Sequence, residues 1–289
     1  MPIEKNILIL IGSPSDKDIL KNLQMDGINL DCKFASAHGT PKLVQKYSND
    51  KPLDAVIAAA GLSNVLASDC LRYVDVTIPI IALPLSDMNT FGLASLLSSQ
   101  ETPTGYPILV AKMDDINSAI KIAKNLVSDN YDSIEVITNL EKDKEVERAC
   151  ATLEDFGVKY SICNLCECKG IRKERKLLLI ISGLDDYSIG DLEIINRQLG
   201  ENIAVASYAT NILDYGNSSG FDQLFDALKN YISANKTFPN IATVGFSNGT
   251  NLALFGIKIM ARKNAILKDR LIEYLFERGK RYYDENEGC

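Results

Sequence analysis

Asn6-Ile7-Leu8-Ile9-Leu10-Ile11-Gly12 is an unbroken run of aliphatic residues closed by a glycine. Such a run marks a strand buried on both faces of a parallel sheet, since a half-exposed strand would alternate. Ser13-Pro14-Ser15-Asp16 follows with helix-starting residues, and the segment to Gly27 predicts a short helix. Further strands are expected over Leu30–Ala35, Leu53–Ala60, Ile78–Leu83 and Pro107–Ala111. Thr40-Pro41 opens a helix between the second and third, and Ile116–Val127 forms one after the fifth. Strands alternating with helices imply right-handed crossovers and a parallel sheet covered on both faces. In such sheets ligands bind beyond the carboxyl ends of the strands.

The second half repeats this plan. Residues 134–145 (IEVITNLEKDKE) lie over residues 7–18 (ILILIGSPSDKD), Ser182-Gly183-Leu184 over Ala60-Gly61-Leu62, and Asn251 over Asn117. Matching glycine, Asp-Lys and Asn positions favour duplication over a merely shared hydrophobic pattern. The expected fold class is therefore α/β. Two tandem doubly wound, flavodoxin-like three-layer domains with parallel sheets are predicted, at residues 1–128 and 129–289. A long closing helix, Leu252 to Tyr283, carries Leu252, Leu254, Phe255, Ile259, Leu267, Leu271, Leu275 and Phe276. It exceeds what one domain needs to cover its own sheet, which predicts docking on a neighbouring subunit.

The chain has 289 residues, 46% apolar and 24% charged, with a net charge of -7. That charge argues against a nucleic-acid partner, which needs clustered Lys and Arg. No run approaches the ~20 apolar residues of a membrane span, and the N-terminus has no signal h-region. A cytoplasmic protein is expected, so its seven cysteines should be reduced thiols. Cys163, Cys166 and Cys168 are spaced like metal ligands, but zinc wants a fourth and the single histidine is remote. No metal is expected.

Three turns carry chemistry. Gly12-Ser13-Pro14-Ser15-Asp16 offers hydroxyls and backbone N–H groups to an anion, although Ser13 or Ser15 could serve only as a helix cap. Ser36-Ala37-His38-Gly39-Thr40-Pro41 holds the single histidine of the chain. Alone, His38 would be an ordinary hydrogen-bonded residue; after a strand and between hydroxyls, it suits general acid–base work. Ala60-Gly61-Leu62-Ser63-Asn64 reads either as a plain turn or as a polar cradle.

Together these segments resemble the aminoimidazole ribonucleotide carboxylase/mutase (PurE) family. They are similar to its G-S-x-S-D, S-A-H-x-T-P and class II A-G-x-S-N loops, and Gly92-Leu93-Ala94-Ser95-Leu96-Leu97-Ser98 with Pro103-Thr104-Gly105 resembles its G-L-x-S-L-L-S…P-x-G segment. The resemblance implies formation of 4-carboxy-5-aminoimidazole ribonucleotide in purine biosynthesis, without a cofactor. It implies that Ser13, Ser15, Asp16 and Ser36 hold the ribose and its phosphate. His38 would move a proton at the imidazole carbon, and Gly61, Ser63 and Asn64 would surround CO2 or the carboxylate. The class II loop favours CO2 as donor over the N5-carbamate. Relatives form octamers, so a tandem chain is expected to build a homotetramer of the same shape.

Two departures stand out. Gly39 occupies the position of a family Arg or Lys, removing a cation worth ~1.5–3 kcal/mol in a charge-assisted bond. In the second half Asn139-Leu140-Glu141-Lys142-Asp143 replaces the first turn, Cys168 the histidine and Asp185-Asp186 the Ser-Asn pair. Only Asp143 survives there, which predicts a scaffold. The alternatives are a catalytically impaired nucleotide-binding protein, or a carboxylase acting on another heterocyclic ribonucleotide.

Overall fold

A computed structural model describes residues 5–24, 28–62, 65–88, 90–100, 102–128, 131–140, 143–164, 176–183, 185–199, 203–209 and 229–287. The first half contains β1 (Asn6–Ile11), β2 (Asn29–Phe34), α1 (Pro41–Asn49), β3 (Ala55–Ala60), α2 (Val65–Cys70), β4 (Ile80–Pro84), α3 (Leu93–Gln100), β5 (Leu109–Val110) and α4 (Ile116–Ser128). The second contains β6 (Ser133–Thr138), α5 (Lys144–Asp155), β7 (Tyr160–Asn164), β8 (Lys176–Ser182), α6 (Asp186–Leu199) and β9 (Ala204–Tyr208). A helix described over residues 229–237 (α7) follows, then β10 (Ile241–Phe246), α8 (Gly249–Ala261) and α9 (Ala265–Glu287).

The helix expected after β1 is instead a 3-10 segment, Pro14–Asn22. Its first turn explains this: Ser13 accepts from the Ser15 N–H, and the Ser15 hydroxyl reaches Asp16. Such local bonds compete with the α-helical pattern. The expected end at Gly27 lies outside the described residues.

Among the described residues ten strands form one sheet, ordered β2-β1-β3-β4-β5-β10-β9-β8-β6-β7. Each half has the flavodoxin-like order 2-1-3-4-5, with every neighbour inside a half parallel. The halves meet edge to edge where β5 and β10 pair antiparallel, through Val110 and Thr243. Alternate strand residues feed two apolar cores, one per face, and both cores run across the seam. Ile7, Ile9 and Ile11 share one core with Leu177, Leu179, α4, α5, α8 and α9. Leu8 and Leu10 share the other with Leu178, Ile180 and α1, α2, α3, α6 and α7. The three-layer architecture is thus as expected, but the two sheets are fused into one.

Polar side chains lock the seam. Gln100 donates to Thr243 Oγ1 at 2.7 Å, Asn251 Oδ1 accepts from the Gly105 N–H at 2.7 Å, and Asn235 Oδ1 from the Met113 N–H at 3.1 Å. In the second half α8 lies so close to α5 that a Cβ on Gly249 would stand 2.0 Å from the Glu145 carbonyl oxygen. Only glycine fits there.

The closing helix differs from expectation. It is two helices, broken at residues 262–264, where Arg262 turns to bond the Asp54 carbonyl and carboxylate at 2.7 and 3.0 Å. Leu252, Leu254, Phe255, Ile259, Leu267 and Leu271 are buried within this chain. α8 covers the second half's sheet as α4 covers the first, and α9 lies across both. Of the apolar residues named for docking, Phe276 alone is broadly exposed, joined on α9 by Ile266 and Ile272.

Candidate active site

The three predicted turns emerge side by side. Ile11 is level with Phe34 on one flank and Ala59 on the other, so Gly12, Ala35 and Ala60 leave the sheet at one edge. The Gly12 N–H donates to the Ala59 carbonyl at 2.8 Å, and a Cβ on Gly12 would sit 3.3 Å from that of Ala60. This close approach seats the first turn directly over β3. The chain reverses its winding between β1 and β3, the switch point where such sheets open a ligand crevice.

In the first turn Ser13, Ser15 and Asp16 form one hydrogen-bonded chain: 2.7 Å between the hydroxyls and 3.2 Å from the Ser15 hydroxyl to Asp16. In the second, Ser36 Oγ accepts from the Gly39 N–H at 3.1 Å and Thr40 Oγ1 from the Ser36 N–H at 2.9 Å. The Thr40 N–H closes the loop onto the Ser36 carbonyl at 2.8 Å. These bonds hold residues 36–40 in a tight turn with His38 exposed at its tip. Gly61 begins the third turn beside the β4 loop; Ser63 and Asn64 lie outside the described residues.

The loop after β4 joins this edge and was missed at the level of sequence. The Asp87 carboxylate accepts from Thr90 N–H at 2.8 Å and from the Gly92 N–H at 3.3 Å, and Ser86 N–H reaches Asp114 at 2.7 Å. Phe91 and Asp114 adopt φ of 53° and 58°, a conformation non-glycine residues avoid and that collects at functional sites. The available signal was positional: Leu85-Ser86-Asp87 ends a strand as the other three turns do. Ser95 backs the site by donating to the Ala60 carbonyl. Phe34, Leu62, Val65, Met88 and Phe91 are exposed along the same edge, giving the site an apolar rim.

Gly39 has room for a side chain: the nearest atoms to an added Cβ are those of Ser36, at 3.6 Å. None of the described cysteines lies in the three turns. Burial pushes Cys70 up to about 12, and burial also raises Cys32 and Cys150. Cys166 and Cys168 lie outside the described residues, so the three-cysteine cluster is represented by Cys163 on β7 alone.

In the second half the described polar residues of the first and third matching turns are held in local hydrogen bonds, and the turn with Cys168 lies outside the described residues. Asp143 caps α5 by accepting from the Glu145 N–H at 2.7 Å. Asp185 accepts from Ser188 N–H and hydroxyl at 2.9 and 2.8 Å, and Asn139 donates to that hydroxyl at 2.7 Å. Because β5 and β10 are antiparallel, these turns also face the opposite edge of the sheet from His38.

Fold and site define an α/β protein of flavodoxin-like strand order with polar, histidine-bearing turns at its switch point. Residues 6–149 match the family described as AIR carboxylase. An N5-carboxyaminoimidazole ribonucleotide mutase of Pyrococcus horikoshii is 28% identical over 172 residues, 54% of this chain and 94% of the relative. The mutase of Methanocaldococcus jannaschii is 33% identical over 126 residues, covering 42% and 78%. A phosphoribosylaminoimidazole carboxylase of Candida glabrata is 27% identical over 159 residues, 52% of this chain but 28% of that longer protein. The chain belongs to the AIR carboxylase family.

Proposed function

We propose that this chain forms 4-carboxy-5-aminoimidazole ribonucleotide for purine biosynthesis, with its active site in the first half. The observation that carries the proposal is His38, exposed at the tip of a turn fixed by Ser36 and Thr40, beside the Ser13–Ser15–Asp16 chain. In this reading Ser13, Ser15, Asp16 and Ser36 bind the ribose and phosphate by hydrogen bonds. The ring carbon of aminoimidazole ribonucleotide, made electron-rich by its amino group, attacks CO2. A carbon–carbon bond forms and His38 accepts the proton leaving that carbon. Gly61, Ser63 and Asn64 surround the carboxylate. The step balances as ribonucleotide plus CO2 giving product and a proton, with no redox change and no need of a metal or organic cofactor.

Ser63-Asn64, in place of a second histidine, supports CO2 as donor; the mutase relatives keep N5-carboxyaminoimidazole ribonucleotide as the other candidate. Supplying each donor separately and following product by ultraviolet absorbance decides between them. Product from bicarbonate alone supports the carboxylase reading, and product only from the N5-carboxy compound refutes it. Gly39 favours one rival, a ribonucleotide-binding protein without turnover, for which neither donor yields product.

The division into residues 1–128 and 129–289 is part of the proposal, with the second half a scaffold. The repeated strand order and the locally bonded polar residues of the second-half turns support it. The apolar rim of Phe34, Leu62, Val65, Met88 and Phe91 suits a second copy walling the His38 turn, within a homotetramer acting in the cytoplasm. No described helix is long and apolar enough to cross a membrane.

A further inference from the structure

At the edge of the sheet opposite His38, where β4 and β5 begin, lies a cavity of about 420 Å³. Both halves wall it: Leu71, Val74 and Pro107 from the first, Leu254, Leu271 and Leu275 from α8 and α9. Lys258 of α8 stands among these walls only 4% exposed, with no ion pair or hydrogen bond to any described residue. Thr102 lines the same space, 8% exposed, and its Oγ1 also lacks a partner. Asp75, the carboxylate in the lining, is already committed. Its Oδ1 accepts from Thr77 at 2.9 and 2.7 Å and its Oδ2 from Lys268 at 2.6 Å.

A buried ammonium left without acceptors is costly, and burial lowers Lys258 from 10.5 to about 7, with Asp75 opposing. The cavity therefore sets the Lys258 ammonium and the Thr102 hydroxyl, both without a partner among the described residues, between mostly apolar walls. Its volume falls in the range of small-molecule sites. One buried cation fits one negative charge, and Asp75 at the margin disfavours a second. Leucine and valine walls suit hydrocarbon, not sugar.

We propose that this cavity binds an apolar monocarboxylate, its carboxylate against Lys258 Nζ and Thr102 Oγ1 and its hydrocarbon against Leu71, Leu254, Leu271 and Leu275. The site is separate from the His38 turn and does not depend on the carboxylase reading. It joins the two halves, so an occupant stabilises the seam.

Octanoate and 1-octanol, of matched chain length, are titrated calorimetrically into the full chain and into Lys258→Met and Thr102→Val. The expected result is saturable binding of one octanoate per chain, at least tenfold tighter than octanol. Lys258→Met should remove that preference while still binding octanol, and Thr102→Val should weaken octanoate several-fold. Wild-type protein that shows no saturable octanoate binding, or binds octanol as tightly, overturns the proposal. Octanoate affinity unchanged in Lys258→Met overturns it equally.

Discussion

Replacing Lys258 by Met should make the ligand-free protein more stable at neutral pH, although it deletes a charged residue. Burial drops the Lys258 amine from 10.5 to about 7. At 1.36 kcal/mol per tenfold change in proton affinity, that fall costs the folded state up to ~4–5 kcal/mol wherever the unfolded lysine is charged. Met is likewise unbranched, one atom shorter, and carries no such cost. The sign with pH follows from linkage. Between about 7 and 10.5 the unfolded chain holds a proton that the folded chain has released, so wild-type stability rises with pH across that window. Below 7 both states are protonated and the cost is present in full. Urea unfolding of both proteins at pH 7 and pH 9 measures the effect. Lys258→Met should lead by a few kcal/mol at pH 7, and its lead should shrink by ~2 kcal/mol at pH 9. Buried Tyr208, Tyr231 and Cys70 are common to both proteins and cancel in the comparison. A Met variant less stable than wild type at pH 7, or a difference constant with pH, refutes the reasoning.

Calorimetric titration with product should give one ribonucleotide per chain, because Asp143, Asp185 and Asn139 already serve as caps and local partners; a fitted value near two contradicts this. Gly39→Lys should fold normally, given the 3.6 Å clearance, and lower KM by roughly tenfold through a charge-assisted bond to substrate. An unchanged KM would mean that a cation from elsewhere already fills the role. Truncation after Ala261 should lower stability by ~3–6 kcal/mol, since it uncovers the core behind buried Leu267 and Leu271 and deletes the Arg262–Asp54 pair. Urea unfolding and light scattering together read the outcome, and full stability with lowered mass would instead make α9 an intermolecular element.

The parallel α/β plan was legible because Ile7–Ile11, Ala55–Ala60 and Leu177–Ile181 are apolar runs that only a doubly covered sheet accommodates. The first and third turns could be placed because each follows such a run, and the second because Thr40-Pro41 opens a helix after the strand ending at Phe34. The fusion of the two sheets was not legible, since β5 is only two residues long and pairs with β10 through one bridge. Edge pairing of that kind leaves no periodic pattern. The break at residues 262–264 was hidden because Ile259 and Leu267 keep helical spacing across it. Helix spacing also cannot say which partner covers an apolar face, so α8 was assigned to a neighbour when its own sheet buries it. Asp87 and Asp114 were passed over because acidic residues near a strand end are ordinary in any turn. Lys258 lies in an apolar helix, where sequence alone cannot distinguish a snorkelling lysine from a buried one.

The central claim is tested most directly by purified full-length protein given aminoimidazole ribonucleotide and bicarbonate, with product followed by ultraviolet absorbance alongside His38→Asn. The account predicts turnover by the wild type and a fall of about 10²–10⁴-fold in the variant, with ribonucleotide affinity held within a few-fold. Activity in His38→Asn within a few-fold of wild type contradicts it, as does a wild type that binds the ribonucleotide but carboxylates none of it.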